Sequence, residues 1–260
     1  MASISVLKAE GVRVAVGSRV LVDELDLEIG PGELLVILGR NGTGKTLLLH
    51  TLAGLRPAAA GDVLLDGEPP LALGRRAVAQ RLGLLLQIYE DAFPLSVLDA
   101  VLVGRHPHLG FWQWEGTVDH EIAHAALAAM DLEGMEDRVV ATLSGGERRR
   151  LAIATLLAQE PAVYLLDEPL NHLDPQHQIA VLDHCAGLAR AGRAVAATLH
   201  DPNLAARFGT RALLLHGDGR WQCGAIPDVL TATHLSALFR TPIVQVPAQI
   251  GAVFVSGGPG

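Results

Sequence analysis

Hydrophobic and polar positions alternate in the first part of the chain and then give way to an unbroken apolar run. Residues 4–7, 12–14 and 25–29 show the alternation of half-buried strands. The apolar run at 33–38 precedes a glycine, which is typical of a buried parallel strand. The pattern therefore predicts β-rich structure over residues 4–37.

Beyond that region, helical and strand-like segments follow one another. We predict helices over residues 45–54, 97–102 (capped by Ser96), 118–130, 147–159 and 175–191, and strands over 162–166 and 194–199. Residues 61–71 predict a hairpin turned at Asp66-Gly67, and residues 104–116 predict a loop. The β-α-β order implies a mainly parallel sheet with helices on both faces.

Composition and charge exclude several classes of protein. The 260 residues are 50% hydrophobic, which suits one large α/β unit. A net charge of −8 argues against nucleic acid as the main partner, and we interpret the run Arg148-Arg149-Arg150 as a solvated helix end. Two cysteines without framework spacing favour a reducing compartment. The sequence has neither a signal-peptide layout nor an apolar run of about 18 residues, so we expect any membrane role to come through a partner chain.

The strongest motif is a glycine-rich stretch between a predicted strand and a predicted helix. It fits the P-loop pattern and reads Gly39-Arg40-Asn41-Gly42-Thr43-Gly44-Lys45-Thr46. Backbone N–H groups and the helix N-terminus form a nest for phosphate oxygens there, with Lys45 reaching the β- and γ-phosphates and the Thr46 hydroxyl on Mg²⁺. A chance glycine-rich turn is the alternative, but Lys8 and Lys45 are the only lysines of the chain.

A second motif is the apolar strand at 163–166, which ends in Asp167 and Glu168. In P-loop enzymes such an aspartate holds Mg²⁺. A glutamate one residue later can polarise the attacking water. Many strands end in an acidic residue, so this signal gains weight only beside the P-loop.

A third motif is Leu143-Ser144-Gly145-Gly146-Glu147, called the signature segment below, at the start of a predicted helix. Serine and two glycines at this place again form an anion nest. Alone, a Ser-Gly-Gly helix cap is common. Its position before a helix that leads into the strand of Asp167 makes it specific.

With these motifs in this order, the sequence resembles the nucleotide-binding subunits of ABC transporters over nearly its whole length. The resemblance implies an α/β fold: a P-loop (RecA-like) core with a mainly parallel sheet, an N-terminal antiparallel β-subdomain and an inserted helical subdomain. It implies a single ABC ATPase domain over residues 1–260. Within it we predict a β-subdomain (1–37 and 61–75), a P-loop core (38–60 and 155–217), a helical subdomain (88–150) and a C-terminal extension (218–260).

The resemblance also assigns site residues. Ser144, Gly145 and Gly146 would close the ATP site built on Lys45 of a second copy of the chain, so that two ATP molecules lie between two subunits. Gln87 matches the glutamine that touches Mg²⁺ and joins the helical subdomain to the core.

Two further segments have counterparts in the family. Leu173-Asp174 fits the D-loop, and His200 matches the switch histidine that contacts the γ-phosphate. Without its neighbours, a histidine at a strand end would more often be structural.

One feature departs from the family pattern. Where the family stacks adenine on an aromatic residue, this chain has Val14-Ala15-Val16-Gly17. We expect Val16 to make an apolar contact with the base, and we hypothesise weaker base discrimination than is usual.

Local stretches resemble the iron-chelate, haem and vitamin B12 importer group, namely residues 103–110, 171–174 with His177-Gln178, 200–206 and 213–217. That group implies a homodimer on a polytopic membrane permease, an extracytoplasmic substrate-binding protein, and a cytoplasmic place at the inner face of the membrane. The main alternative is a soluble ABC ATPase in assembly or scaffolding. Another is a regulatory nucleotide switch with negligible turnover, against which the complete set of motifs argues.

Two groups of side chains leave alternatives open. The aromatic residues Phe111, Trp112 and Trp114 either contact the permease or pack the helical subdomain's own core. His120 and His124 have metal-ligand spacing, but a solvated helix face explains them better.

Overall fold

The computed structural model describes residues 6–86, 95–110, 112–248 and 251–257. The strands are β1 (Leu7–Val16), β2 (Arg19–Ile29), β3 (Leu34–Gly39), β4 (Ala60–Leu65), β5 (Leu82–Leu85), β6 (Val163–Leu166), β7 (Ala194–Leu199), β8 (Arg211–Leu215), β9 (Trp221–Ala225), β10 (Ile243–Ala248) and β11 (Gly251–Ser256). The helices are α1 (Lys45–Leu52), α2 (Pro70–Leu73), α3 (Arg75–Arg81), α4 (Val97–Leu102), α5 (Thr117–Ala129), α6 (Gly145–Ala158), α7 (Pro175–Arg190), α8 (Pro202–Phe208), α9 (Ile226–Val229) and α10 (Ala232–Phe239). Two 3₁₀ helices span Val103–His108 and Val140–Thr142.

The central sheet has the order β5-β6-β7-β3-β8-β9. All neighbours are parallel except β9, which pairs antiparallel with β8 at one edge. Side chains of the fully buried β3 alternate between two cores: Leu34, Val36 and Leu38 enter one, and Leu35 and Ile37 the other. A strand covered on both faces needs this continuous apolar run. The expected mainly parallel sheet is confirmed.

A second sheet, β2-β1-β4, is antiparallel and packs with α1 on one face of the central sheet. The predicted turn at Asp66-Gly67 is present, and Leu65 and Glu68 exchange both backbone hydrogen bonds across it. The predicted hairpin over residues 61–71 does not extend beyond this bridge, and β4 pairs along its length with β1. Pro70 then opens α2, since proline cannot donate to a strand ladder but suits the first position of a helix.

The helices α4, α5 and α6 pack together on the other face. Ser96 caps α4, as expected. The predicted loop over residues 104–116 is wrong in its first part, which is 3₁₀ helix. That segment lies against α6 so closely that a Cβ on Gly104 would be 2.2 Å from the carbonyl oxygen of Thr155. Beside it, buried Arg105 forms ion pairs of 2.9 Å with Asp119 and Glu160.

The end of the chain folds back as a two-stranded ribbon of β10 and β11. Within the described ranges, no helix is both long enough and apolar enough to cross a membrane.

Candidate functional site

The loop between β3 and α1 has a backbone that requires glycine. Gly42 and Gly44 have φ values of 75° and 100°, in the left-handed region that disfavours other residues. A Cβ on Gly39 would lie 2.5 Å from Thr43 Oγ1 and 2.8 Å from the carbonyl oxygen of Leu215. The loop therefore keeps its backbone close to the ends of the neighbouring strands, with N–H groups at the start of α1.

This loop borders a cavity of about 670 Å³. Eight residues predicted for the site line it: Val16, Asn41, Gly42, Gly44, Lys45, Thr46, Glu168 and His200. Gly39, Arg40 and Thr43 belong to the same loop. Gln87 lies outside the described residues. Arg19, which the sequence did not suggest, also lines the cavity, and its Nη2 donates to the carbonyl oxygen of Gly217.

Lys45 is buried, and its Nζ donates to the carbonyl oxygens of Gly39 at 2.9 Å and Arg40 at 3.2 Å. Burial lowers the pKa of Lys45, while the carboxylates of Glu168 and Asp167 oppose that shift. The ammonium group is thus held in the loop and faces two acidic side chains. Because this ammonium group is desolvated, its attraction for a bound anion would be stronger than that of the same charge pair in water.

Asp167 follows β6 and is fully buried. Its Oδ1 accepts a hydrogen bond of 2.9 Å from Thr198 Oγ1. Its Oδ2 has no partner among the described residues. A buried carboxylate oxygen without a partner is unfavourable, and a hard cation with oxygen ligands would satisfy it. In the described part of the chain, no group of three or more His, Cys, Asp or Glu side chains could hold a metal ion.

Glu168 has a φ of 48°, which is uncommon for a residue with a side chain. Its Oε1 is 2.8 Å from Nε2 of His200, and its Oε2 accepts a 2.6 Å hydrogen bond from Nδ2 of Asn171. Burial alone would raise the pKa of Glu168. The hydrogen bonds from Asn171 and His200 and the charges of His200 and Lys45 outweigh burial, so the pKa is lowered. The carboxylate stays ionised and can accept a hydrogen bond from water.

Sequence reasoning missed two residues that hold these acids. Asn171 binds the Glu168 side chain, and the Thr198 hydroxyl accepts a 2.6 Å hydrogen bond from the Glu168 N–H while donating to Asp167. A signal for Thr198 was present, since it is the only polar residue in the apolar strand β7. Nothing local marked Asn171 as a partner of Glu168.

The interpretation of Arg148-Arg149-Arg150 as a solvated helix end is wrong for two of the three residues. Arg149 and Arg150 are buried, because helical periodicity turns them inward from α6. The Arg149 guanidinium donates to the backbone carbonyls of Asp167 and Glu168. Desolvation lowers the pKa of Arg149 to about 10, with the two acidic side chains opposing the shift. Arg149 therefore joins α6 to the segment that carries both acids.

The signature segment begins at buried Leu143 and leads into α6. Ser144 caps α6: its Oγ accepts from the Glu147 N–H, and its own N–H donates to the Glu147 carboxylate at 2.7 Å. Ser144 and Gly145 are exposed. Among the described residues that line the 670 Å³ cavity, none belongs to this segment.

The structure decides part of the question of whether the aromatic residues at 111–114 pack inside the helical subdomain and whether His120 and His124 lie on a solvated helix face. Trp112 and Trp114 are 89% and 86% exposed, so packing inside the helical subdomain is wrong for both, while Phe111 lies outside the described residues. The Nδ1 atom of His124 is 3.7 Å from the Glu136 carboxylate, an ion-pair geometry on an exposed helix face.

Comparisons with known proteins agree with this geometry. A family model described as "ABC transporter" matches residues 22–171. A hemin import ATP-binding protein of Myxococcus xanthus is 39% identical, with 97% of each chain covered. The ferric enterobactin transport ATP-binding protein of Escherichia coli is 37% identical, with 94% of this chain and 92% of that protein covered. A solved metal-chelate type ABC transporter in an inward-facing conformation superposes with a TM-score of 0.84 at 29% identity, covering 98% of each chain.

Proposed function

This chain belongs to the ABC transporter family, and on that premise we propose that it is the ATP-hydrolysing subunit that powers an importer. One observation carries the proposal: a desolvated Lys45, an ionised Glu168 and His200 line a single cavity beside the glycine-rich loop. That is the set of groups that phosphoryl transfer from ATP to water requires, because the reaction depends on positioning and on neutralising charge.

The residues of this cavity have separate roles in ATP hydrolysis. The N–H groups of residues 39–46 cradle the phosphates, and Lys45 neutralises the β- and γ-phosphate oxygens. Glu168 orients the attacking water and accepts its hydrogen bond, and His200, which is 2.8 Å from the Glu168 carboxylate, contacts the γ-phosphate. Val16 contacts the base.

Mg²⁺ fits the carboxylate of Asp167. Asp167, with its unpartnered Oδ2, would hold the ion together with Thr46 and Gln87. When bound, the ion supplies neutralisation of phosphate charge. Thr198 donates to the other oxygen of Asp167 and so restricts rotation of the carboxylate.

A second copy of the chain completes each site. Ser144 and Gly145 are exposed at the start of α6, and neither they nor Gly146 are among the described residues that line their own chain's cavity. Such a helix N-terminus can bind an anion. Two chains face to face would place each segment on the other's ATP, in the manner of a symmetric C₂ dimer. ATP binding closes this dimer and hydrolysis reopens it.

The transport role is supported by the relatives, whose names specify hemin and ferric enterobactin. We infer import of an iron chelate, haem or a cobalamin-like compound through a polytopic permease, supplied by an extracytoplasmic binding protein. The chain would then sit in the cytoplasm at the inner face of the membrane. The helical subdomain over 88–150 meets the permease, and exposed Trp112 and Trp114 suit an interface there.

Affinity purification of the tagged chain from gently solubilised native membranes tests this proposal. We expect a polytopic membrane protein in equal amount, together with phosphate release from ATP by the purified complex. A Trp112→Ser/Trp114→Ser double variant should lose the permease yet retain basal hydrolysis. Recovery of soluble partners alone would favour the assembly or scaffold alternative. Tight ATP binding without phosphate release would favour the regulatory switch.

A further inference from the structure

The C-terminal ribbon of β10 and β11 is anchored beside the candidate active site. Phe254 on its inner side is buried in the core that covers α8 and β7. Its outer side carries exposed Val244, Val246 and Val255. The ribbon therefore has one apolar anchor and one free face, and the anchor lies next to the start of α8.

Asn203 makes the polar link between α8 and this ribbon. Its Nδ2 donates to the carbonyl oxygen of Phe254 at 3.2 Å, and its Oδ1 accepts from the Phe254 N–H at 2.7 Å. A side-chain amide can pair with a backbone in this two-way manner, whereas a carboxylate can only accept. The pair works like one rung of a β-ladder between the ribbon and the second residue of α8.

Only two residues separate Asn203 from His200, and both restrict the backbone. Asp201 caps α8 by accepting a 2.7 Å hydrogen bond from the Asn203 N–H. Pro202 occupies the first helical position with a fixed φ. A shift of Asn203 is therefore transmitted to His200, because the two conformationally restricted residues between them cannot absorb it.

His200 also borders two cavities. One is the 670 Å³ cavity that holds Lys45 and Glu168. The other, of about 320 Å³, lies between His200 and the ribbon and is lined on its far side by Ile243, Phe254 and Ser256. Because there is open space on both sides of the imidazole, packing does not fix its position. The hydrogen bond to Glu168 and the backbone before α8 therefore set the position of the ring.

We propose that Asn203 is a positioning residue through which the C-terminal ribbon sets the place of His200 beside Glu168. The ribbon controls the hydrolysis step, and it leaves ATP binding by the glycine-rich loop unchanged. The inference rests on the proposed function for its kinetic consequence, but the position of the imidazole can be measured without any activity.

The test compares Asn203→Ala, which removes both hydrogen bonds to Phe254, with Asn203→Asp, which removes the donor alone. An aspartate near a helix N-terminus is favourable for the helix, so Asn203→Asp weakens the link without weakening α8. Val246→Thr serves as the matched control, since it changes an exposed residue of the same ribbon and keeps the β-branched shape. In full-length protein, kcat and KM for ATP hydrolysis and the imidazole Cε1–H NMR resonance of His200 are measured.

We expect both Asn203 variants to lower kcat about tenfold with KM nearly unchanged, because small misplacements of a catalytic group cost rate more than binding. The His200 resonance should shift in both variants and stay in place in Val246→Thr. An unmoved His200 resonance would refute the proposal, whatever happens to kcat. So would a full kcat in both variants. If the wild-type chain hydrolyses no ATP, the proposed function fails, and the resonance alone then decides the role of Asn203.

Discussion

The start of α1 and the start of α6 carry the same local device in two different settings. Each presents glycines and backbone N–H groups at a helix N-terminus. At α1 the device is enclosed by its own chain, with Lys45 buried and Glu168 and His200 on the cavity wall. At α6, Ser144 and Gly145 are exposed, and a capping box and an ion pair between Arg138 and Glu147 stabilise the terminus. One terminus lines a cavity of its own chain, and the other is not among the described residues that line it.

The glycines at the two helix termini are subject to different structural constraints. Gly42 and Gly44 are needed for their left-handed backbone. Gly145 and Gly146 lie in α6, and a Cβ on Gly145 would meet nothing closer than His172 Cβ at 3.8 Å. The fold would accept a side chain at Gly145, whereas a Cβ on Gly146 would lie 3.1 Å from the carbonyl oxygen of His172. The glycine at 145 is therefore not required by packing within the chain, which is consistent with the proposed role of this segment.

The largest effect is expected from a substitution in the enclosed pocket at α1. Glu168→Gln keeps the size of the side chain but removes the charge that orients water, so we expect kcat to fall about a thousandfold. Phosphate release and equilibrium ATP binding, measured together, should show lost turnover with retained affinity. Glu133→Gln, at an exposed position, is the control and should match wild type. Near-normal turnover in Glu168→Gln would remove Glu168 from this role.

The next prediction tests whether the exposed terminus acts on another chain. Ser144→Arg and Lys45→Ala should each abolish most hydrolysis. Mixed in equal amounts, they should recover about a quarter of wild-type activity, since half of the dimers are mixed and each of those has one intact site. Phosphate release before and after mixing measures this recovery. If Ser144 served its own chain's pocket, mixing would restore nothing.

A smaller effect concerns the base side of the pocket. Val16→Tyr supplies the aromatic face that the chain lacks and should tighten ATP binding about tenfold through stacking. The control is Val244→Tyr, because Val16 and Val244 are both valines in strands and both 51% exposed. Equilibrium binding of ATP and GTP to the wild-type chain tests the accompanying hypothesis. A strong preference of the wild type for ATP would contradict weak base discrimination.

The smallest effect is on stability against acid. The pKa of folded Glu168 lies below its ordinary value of 4.5, so its ionised form stabilises the fold above that pH. This contribution is lost as the pH falls through the lower, folded-state pKa. Denaturant unfolding of Glu168→Gln should therefore show a free energy of unfolding that depends less on pH in that acidic range than wild type does. Parallel pH dependences in the two proteins would show that the lowered pKa contributes no stability.

Motifs with a fixed local spacing could be predicted from the sequence. The glycine-rich loop, the strand before Asp167 and the cap at Ser144 all form within a few residues, so their elements were predicted nearly at the right bounds. The fold class and the family resemblance are confirmed. The roles of the individual site residues stay predictions.

Contacts between distant segments could not be predicted. Thr198 reaches Asp167 across 31 positions, and Arg149 reaches the same segment from α6. Such contacts depend on how parallel strands and helices stack, which no local pattern encodes. The prediction for the run of three arginines was wrong for the same reason. Their charge indicated exposure to solvent, but the direction of α6 places two of the three side chains in the core.

The buried guanidinium of Arg149 joins the helix that begins at the signature segment to the segment that carries Asp167 and Glu168. Arg149 lies five positions after Ser144 on α6 and holds the backbone carbonyls of Asp167 and Glu168. A tilt of α6, pulled by an anion at its N-terminus, must drag those carbonyls or break hydrogen bonds inside the core. The position of α6 in each subunit would thus be transmitted to the backbone of that subunit's own Asp167 and Glu168 when an anion binds its signature segment.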